Sequence, residues 1–417
     1  MRELKVYIEI QGHEAYAGMI KGSSSSDAVF TYDADYFVSG VPISVSLPFQ
    51  SEAFSPSQTS CFFEGLLPEG FSRKSVARWL HADESDYLAI LAGLGKECLG
   101  AIRIEDAADP VTDQPSYEEL TIDQVKQLAA EGATKSTELL VRSHLSLTGA
   151  TGKVGLYLHN GKWYQPLGTA PSTHIVKQSH VHLRHIIENE RLALLTAEKL
   201  GIQTVRSFII NADAFRDSDI LLAAERYDRD PSNSIQKIDG LVRPLRLHQE
   251  DFAQALCIPG NAKYEHPGDD YLGRIFRLVR NVSTDPLQDQ LRLLDILIYD
   301  KLIGNTDNHI KNLSFLYTPD LRSLRLSPAY DLISTLIYRE SAAEMSIAIA
   351  GELRWDRITK DTFLEASENM GLSKKIIARE YDRLALQLPS AIREAAAHME
   401  AEGFMNAPEI AQKILEL

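Results

Sequence analysis

Cysteine is scarce in this chain, which has only three cysteines, Cys61, Cys98 and Cys257, among 417 residues. They lie far apart and lack the close spacing of metal ligands, which argues against a disulfide framework and against a zinc site. Widely separated cysteines are typical of reduced thiols. We therefore expect a cytoplasmic protein.

Long apolar runs are also missing. No segment approaches the roughly 20 apolar residues that cross a bilayer, so we expect no membrane span. The first residues, MRELKVYIEIQG, alternate apolar and polar side chains. This pattern indicates an amphipathic strand rather than a signal peptide.

Positive charge is in deficit, with 43 Lys and Arg residues against 58 Asp and Glu residues and a formal net charge of −15. A field of this sign opposes binding to duplex DNA and to anionic membranes. Any contact with DNA should therefore be made through a basic partner.

The remaining composition is that of an ordinary globular protein, with 44% hydrophobic and 24% charged residues. A chain of this length has room for two or three packed units. The polar stretch 106–115 contains three Asp and two Pro residues and is the best candidate linker. We predict three parts: residues 1–108, residues 116–240 and residues 241–417.

Apolar periodicity assigns a structural type to each part. Residues 1–108 begin with strand patterns, including one at 43–47, and become helical from residue 62. Residues 116–240 mix strands with a helix near 188–200, which ends at Gly201. Helical periodicity dominates after residue 240. The predicted class is α+β with an all-helical C-terminal part, whose helices are expected at 291–303, 363–370, 374–388 and 392–402.

The strongest chemical signal is the segment 304–312, GNTDNHIKN, which is followed by Tyr330-Asp331. Phosphoryl transfer needs a carboxylate that orients the attacking hydroxyl and oxygen ligands that hold magnesium. Asp307 and Asn312 stand five residues apart, as these groups do in a kinase catalytic loop, and Asp331 follows nineteen residues later. This spacing also arises by chance in long chains, so the combination carries the argument.

Two neighbours of Asp307 are further candidates. Lys311 could neutralise the transferred phosphate. His309 could contact nucleotide, and an equally good interpretation is a structural histidine that bonds the loop backbone.

A kinase also needs a lysine on the sheet of its small lobe and a helix glutamate that pairs with it. Lys177 ends an apolar strand pattern at 173–177, and Glu190 lies near the start of the next helix. Each has an ordinary interpretation, as a strand-end lysine and as a first-turn glutamate that stabilises the helix dipole. Their order and separation favour the pair.

A loop of small residues, 146–153, precedes the strand pattern at 173–177. It is not a Walker A loop, because only two residues separate Gly149 from Gly152 and Val154 follows Lys153. Two interpretations stay open: a hairpin turn, or a loop whose backbone amides approach phosphates.

Together these motifs resemble the HipA kinases, the toxin component of bacterial HipBA-type toxin–antitoxin modules. The resemblance extends over nearly the whole chain. It is also carried by residues 62–69, 94–95, 100–101, 189–190, 225–228, 249–251 and 263–264.

The resemblance implies a two-lobed protein-kinase-like fold with an added N-terminal α/β subdomain, and ATP and Mg²⁺ as cofactors. It implies Asp307 as catalytic base, Asn312 and Asp331 as magnesium ligands and Lys177 as the phosphate-binding lysine. Ser146 would be the serine whose autophosphorylation ejects the loop, with Ser143 and Thr148 as alternatives. Adenine and phosphate contacts are implied for Glu225 and Tyr227 at the hinge and for the loop residues Thr148, Gly149, Ala150, Thr151, Gly152 and Lys153.

The implied partners are a small basic helix-turn-helix antitoxin of the HipB type and, as in the best-known members, an aminoacyl-tRNA synthetase as substrate. One departure is that family members commonly have Gln-Glu where Thr151-Gly152 stands. This change leaves the nucleotide contacts of the loop and its regulation open.

Three functions compete: an active toxin kinase that inhibits translation and growth, a kinase-like binding or co-repressor subunit, and a small-molecule kinase. The presence of Lys177, Asp307, Asn312 and Asp331 argues against the silent subunit. Substrate choice depends on surface loops, so the small-molecule kinase stays open.

Overall fold

The structure is a computed structural model that describes residues 1–110, 114–131, 133–147, 152–179, 183–211 and 220–417. They form two compact units. The first unit comprises Met1–Gln178, Ala223–Gly260 and Leu316–Ser323, and the second comprises Ser179–Leu222, Asn261–Phe315 and Leu324–Leu417. Among the helices described, none is both long enough and apolar enough to cross a membrane.

The described strands are β1 Arg2–Ile10, β2 His13–Gly22, β3 Val29–Tyr32, β4 Ile102–Asp106, β5 Ser116–Glu119, β6 Lys153–His159, β7 Lys162–Leu167, β8 His174–Gln178, β9 Ser207–Asn211, β10 Ile220–Glu225, β11 Arg229–Asp230, β12 Lys237–Ile238, β13 Leu241–Val242, β14 Leu245–Arg246, β15 Gln249–Asp251, β16 Ser314–Tyr317, β17 Leu324–Leu326, β18 Glu344–Ile349 and β19 Glu352–Arg354. The described helices are α1 Ala34–Ser39, α2 Pro56–Phe63, α3 Gly70–Trp79, α4 Tyr87–Leu94, α5 Ile122–Glu131, α6 Ala133–Arg142, α7 Ile186–Lys199, α8 Phe252–Ala255, α9 Tyr271–Val282, α10 Pro286–Ile303, α11 Lys360–Glu365, α12 Ser367–Met370, α13 Lys374–Ala401 and α14 Ala407–Leu415.

The first unit is built on antiparallel sheets. One has the strand order β3-β2-β1-β4, and the alternating residues Leu4, Val6 and Ile8 of β1 are fully buried. In another, β5, β7, β6 and β8 are successive neighbours. The β6–β7 hairpin turns at Asn160-Gly161, whose φ angles of 49° and 76° are those of a type I′ turn.

The second unit is mainly helical, and α7, α10 and α13 pack against one another. Tyr299 of α10 is fully buried, and its hydroxyl donates a hydrogen bond to the Ala193 carbonyl of α7 at 2.6 Å. This packing places the C-terminal end of α10, and the loop that follows it, on a rigid support.

The α+β class is confirmed, but the C-terminal part is not entirely helical. Strands β13 to β19 lie within it, and in β18 the five residues Met345–Ile349 are all buried. A buried run of this length lacks the helical periodicity, and the Ala350-Gly351 turn with φ angles of 51° and 81° pairs it with β19. The division into residues 1–108, 116–240 and 241–417 stays a prediction.

Two expected elements differ. Residues 43–47 form no strand, because side chains satisfy their backbone groups: the Ile43 amide donates to the Tyr32 hydroxyl at 3.0 Å, and that hydroxyl donates to the Leu47 carbonyl at 2.6 Å. The helices expected at 374–388 and 392–402 form one helix, α13, which continues through Pro389. Packing of α13 against α7 and α10 outweighs the hydrogen bond that this proline removes.

Candidate active site

Asp307 lies in the loop that follows α10 in the second unit. Gly304 ends the helix with a φ of 67°, the left-handed conformation that glycine adopts readily. The amide of His309 then donates to the Asp307 carbonyl at 2.8 Å, and Asn312 Nδ2 lies 3.4 Å from the same oxygen. Asp307 is exposed although Thr306 and Asn308 on either side of it are buried. The loop therefore presents one carboxylate at the surface.

A second carboxylate holds this loop from inside the unit. Asp300, in the last turn of α10, is fully buried and accepts hydrogen bonds from the side-chain amides of Asn305, at 2.8 Å, and Asn308. Burial raises the pKa of Asp300 to about 7, against the opposing effect of these two amides. Sequence reasoning missed Asp300, although an acidic residue in the apolar stretch LDILIYDKLI was a signal.

Hydroxyl groups fix the other side of the loop. Thr335 Oγ1 accepts from the Thr306 amide at 2.8 Å and donates to the Gly304 carbonyl at 3.0 Å. Ser346 of β18 donates from Oγ to the Thr306 carbonyl at 2.6 Å. Both flanks of Asp307 are thereby held, and neither hydroxyl was identified from the sequence.

Asn312 and Asp331 are both half-buried in the second unit. Asp331 has a φ of 56°, which is uncommon for a residue with a side chain and often marks a functional position. Its neighbour Tyr330 shares a 2.6 Å hydrogen bond with Ser314 and lies with its hydroxyl 3.0 Å from the Lys311 carbonyl. Tyr330 therefore connects the segment of Asp331 to the segment of Asn312.

The donor set of Asn312 and Asp331 suits magnesium. Amide and carboxylate oxygens are the ligands that this ion prefers, and it commonly takes one or two carboxylates from the protein and the rest from phosphates and water. Within the described ranges, no group of three or more His, Cys, Asp or Glu side chains is placed to hold a metal ion. Phosphates of a ligand and water would supply the remaining oxygen ligands of a magnesium ion held by these residues.

Lys177 lies in β8 of the first unit, directly opposite Lys153 of the antiparallel strand β6. Residues directly opposite each other lie on the same face of a sheet, and two like charges there destabilise it. The register therefore places the two lysines on the same face of this sheet.

Gly152, the departure from the family pattern, is closely packed in the first unit. A Cβ atom there would lie 1.8 Å from Gln178 Nε2, and the Oε1 of Gln178 accepts from the Ser136 hydroxyl at 2.8 Å. A side chain at this position would displace Gln178. Thr148, Gly149, Ala150 and Thr151 lie outside the described residues.

Ser146, the predicted phosphosite, is fully buried. Its hydroxyl donates to the Leu66 carbonyl at 2.5 Å, and its amide donates to the Glu97 carbonyl at 2.7 Å. Ser146 would therefore become accessible to a kinase only if this segment unpacked.

The hinge candidates Glu225 and Tyr227 flank Arg226, which is buried and was not identified from the sequence. Its guanidinium donates to Asp228 at 2.8 and 2.9 Å and to Glu97 at 3.1 Å. Burial opposes ionisation of Glu97, but attraction to Arg229, Arg246 and Arg226 prevails and holds its pKa at about 2. The segment 225–228 is thus fixed by a buried ion cluster.

The other two sequence candidates lie in the second unit. His309 is buried and packs edge-to-face against the Tyr264 ring, with centroids 5.4 Å apart, which supports the structural interpretation. Glu190 is buried in α7, and its ion pair with Lys177 stays a prediction.

The chemistry that these groups suit is transfer of a phosphoryl group to a hydroxyl. Asp307 is exposed on a restrained loop, and Asn312 and Asp331 in the same unit carry side-chain oxygens of the kind that magnesium prefers. These features and the α+β fold define a kinase.

The chain belongs to the HipA family and is a serine/threonine protein kinase. The family model for the HipA N-terminal domain matches residues 8–105, and the model for the HipA-like C-terminal domain matches residues 145–392. The Y4mE protein of Sinorhizobium fredii is 32% identical over 82% of this chain and 80% of its own length.

Two comparisons involve Shewanella oneidensis. Its serine/threonine-protein kinase toxin HipA is 26% identical over 87% of this chain and 83% of its own length. A chain from the structure of its HipA, HipB and operator DNA complex aligns with a TM-score of 0.81 and 24% identity, covering 99% of this chain and 96% of that chain. The last comparison shows the shared fold.

Proposed function

We propose that this chain is an ATP- and Mg²⁺-dependent serine/threonine kinase that acts as the toxin of a toxin–antitoxin pair. The observation that carries the proposal is the exposed Asp307 carboxylate on a loop held by Asp300, Thr335 and Ser346. A general base must be accessible to the acceptor and restrained in position.

In this proposal the serine or threonine hydroxyl of the acceptor donates a hydrogen bond to Asp307. That carboxylate orients the oxygen and takes its proton as the oxygen bonds to the γ-phosphorus of ATP and ADP departs. Asn312 and Asp331 hold Mg²⁺, which neutralises phosphate charge when it is bound. Lys153 and Lys177 contact phosphates, while Glu225 and Tyr227 contact adenine.

The partners follow from the family. We propose a small basic helix-turn-helix antitoxin that binds this chain and supplies its DNA contacts, as the HipB-containing complex of the structural neighbour suggests. We propose a cytoplasmic protein as acceptor, with an aminoacyl-tRNA synthetase as the specific candidate.

Replacement of Asp307 tests the proposal. Asp307→Ala should lower the rate of autophosphorylation by at least about 100-fold, because it removes the base. ATP affinity, measured by calorimetry, should change little. Asp382→Ala is the matched control, since Asp382 is an exposed aspartate of the same unit that pairs with Lys360. Substantial autophosphorylation by Asp307→Ala would reject the base.

The acceptor can be sought with the same variant. Phosphoproteomes of cells that express the native chain and Asp307→Ala should differ at the sites that this kinase modifies. A native-specific phosphosite on an aminoacyl-tRNA synthetase would support that candidate, and its absence would reject it.

A further inference from the structure

Tyr264 touches the proposed base and is not accounted for by the roles assigned above. Its hydroxyl donates a hydrogen bond to Asp307 Oδ1 at 2.7 Å. Both residues lie at the surface, and Tyr264 is 42% exposed. An exposed hydrogen bond competes with water, so it persists only where the surrounding structure holds the two groups together.

The segment that carries Tyr264 is held in place by its neighbour Glu265. This buried carboxylate accepts from the Tyr271 amide at 3.0 Å and from the Ala348 amide at 2.7 Å. The Tyr271 hydroxyl also donates to the Ala262 carbonyl at 2.5 Å. Residues 262–265 are therefore restrained on both sides of Tyr264.

The same strand restrains both partners of the contact. In β18 the Ser346 carbonyl accepts from the Glu265 amide at 3.0 Å, while the Ser346 hydroxyl donates to the Thr306 carbonyl at 2.6 Å. Glu265 adjoins Tyr264, and Thr306 adjoins Asp307. One residue thus fixes the distance between the tyrosine and the aspartate.

The Tyr264 ring has its own contacts. It lies edge-to-face with the buried His309 ring, and Lys263 Nζ is 5.3 Å from its centroid. The ring position is therefore set without the hydroxyl. Replacement by phenylalanine should remove the hydrogen bond to Asp307 and leave the packing.

We propose that Tyr264 is a positioning residue for phosphoryl transfer, whose hydroxyl holds the Asp307 carboxylate in the orientation that receives the acceptor hydroxyl. The inference rests on the proposed role of Asp307 as base. A general base acts only when its oxygen is aligned with the proton that it removes, and rotation of an exposed carboxylate would spread it over unproductive orientations.

The test is Tyr264→Phe in the full-length chain. The rate constant for autophosphorylation at saturating Mg-ATP should fall about tenfold, the effect of one hydrogen bond to a charged group. The ATP concentration that gives half the maximal rate, the calorimetric ATP affinity and the urea midpoint should equal those of the native chain. Tyr381→Phe, a distant tyrosine in the same unit that packs on Phe363, should change none of these values.

Other outcomes overturn the inference. An unchanged rate means that the hydroxyl is dispensable, and a faster rate means that it only occupies the place of the acceptor. A slower rate with an equal loss of ATP affinity or stability indicates a structural role. The proposed function fails separately: if Asp307→Ala stays active, Asp307 is not the base, whereas an inactive Asp307→Ala with a native rate in Tyr264→Phe rejects only the role of Tyr264.

Discussion

Asp331 combines a carboxylate with a left-handed backbone, and both properties bear on its replacement. Asp331→Ala should weaken Mg-ATP binding by about tenfold or more, because it removes a proposed ligand of the ion that neutralises the phosphates. Asp331→Asn retains one side-chain oxygen, as that of an amide, and tolerates a positive φ, so its loss of affinity should be smaller. Calorimetric titration separates the variants, and native affinity in Asp331→Ala would contradict the metal role.

Ser146 is fully buried, whereas its proposed phosphorylation requires an accessible hydroxyl. A phosphate there adds roughly −1.5 to −2 charges and cannot remain at the buried Leu66 carbonyl, so the modified segment must leave its site. We expect incubation with Mg-ATP to phosphorylate Ser146 and the phosphorylated form to bind ATP weakly.

Intact mass and peptide mapping measure this modification, and calorimetry measures ATP affinity. Ser146→Ala is the control, with Ser143 and Thr148 as the alternative acceptors. Complete absence of phosphate between Ser143 and Thr151 would show that self-silencing through this segment is wrong.

At the scale of single elements, the segment after β10 depends on the buried ion cluster. Arg226→Met should lower the free energy of unfolding by about 3–5 kcal/mol, because it leaves the buried carboxylates of Asp228 and Glu97 with one cation fewer. Arg354→Met removes an exposed pair with Asp356 and should lower the free energy of unfolding far less. Urea unfolding measures both, and equal effects would mean that the cluster contributes little.

The elements that could be predicted are those with a clear local period or stop signal. The strand that carries Lys177 and the helix that ends before Gly201 are both present. The strand predicted at 43–47 is wrong. The alternation of these residues is strand-like, but their hydrogen-bond partner Tyr32 comes from another part of the chain. The two helices predicted on either side of Pro389 are one helix, α13, because tertiary packing outweighs the hydrogen bond that this proline removes.

At the scale of the whole molecule, the negative net charge predicts a division of roles in which the antitoxin partner, and not this chain, makes the DNA contacts. With a charge of −15, the isolated chain should not bind duplex DNA tightly at physiological salt. Addition of the proposed basic antitoxin should produce a complex that binds its operator. Fluorescence anisotropy with labelled duplex checks both statements, and tight binding by the isolated chain would refute this division.

The sequence by itself determined the α+β class, the kinase chemistry and the residues that were proposed to perform it. The class follows from strand and helix periods, which are local properties of the chain. The proposed residues follow from the spacing of Asp307, Asn312 and Asp331 together with the resemblance to the HipA kinases. Only the tertiary structure decided how Asp307 is held. Thr335, Ser346 and Tyr264 lie between 29 and 43 residues from the loop positions that they contact. Hydrogen bonds over such separations follow from packing and register, which leave no periodic signal in the order of amino acids.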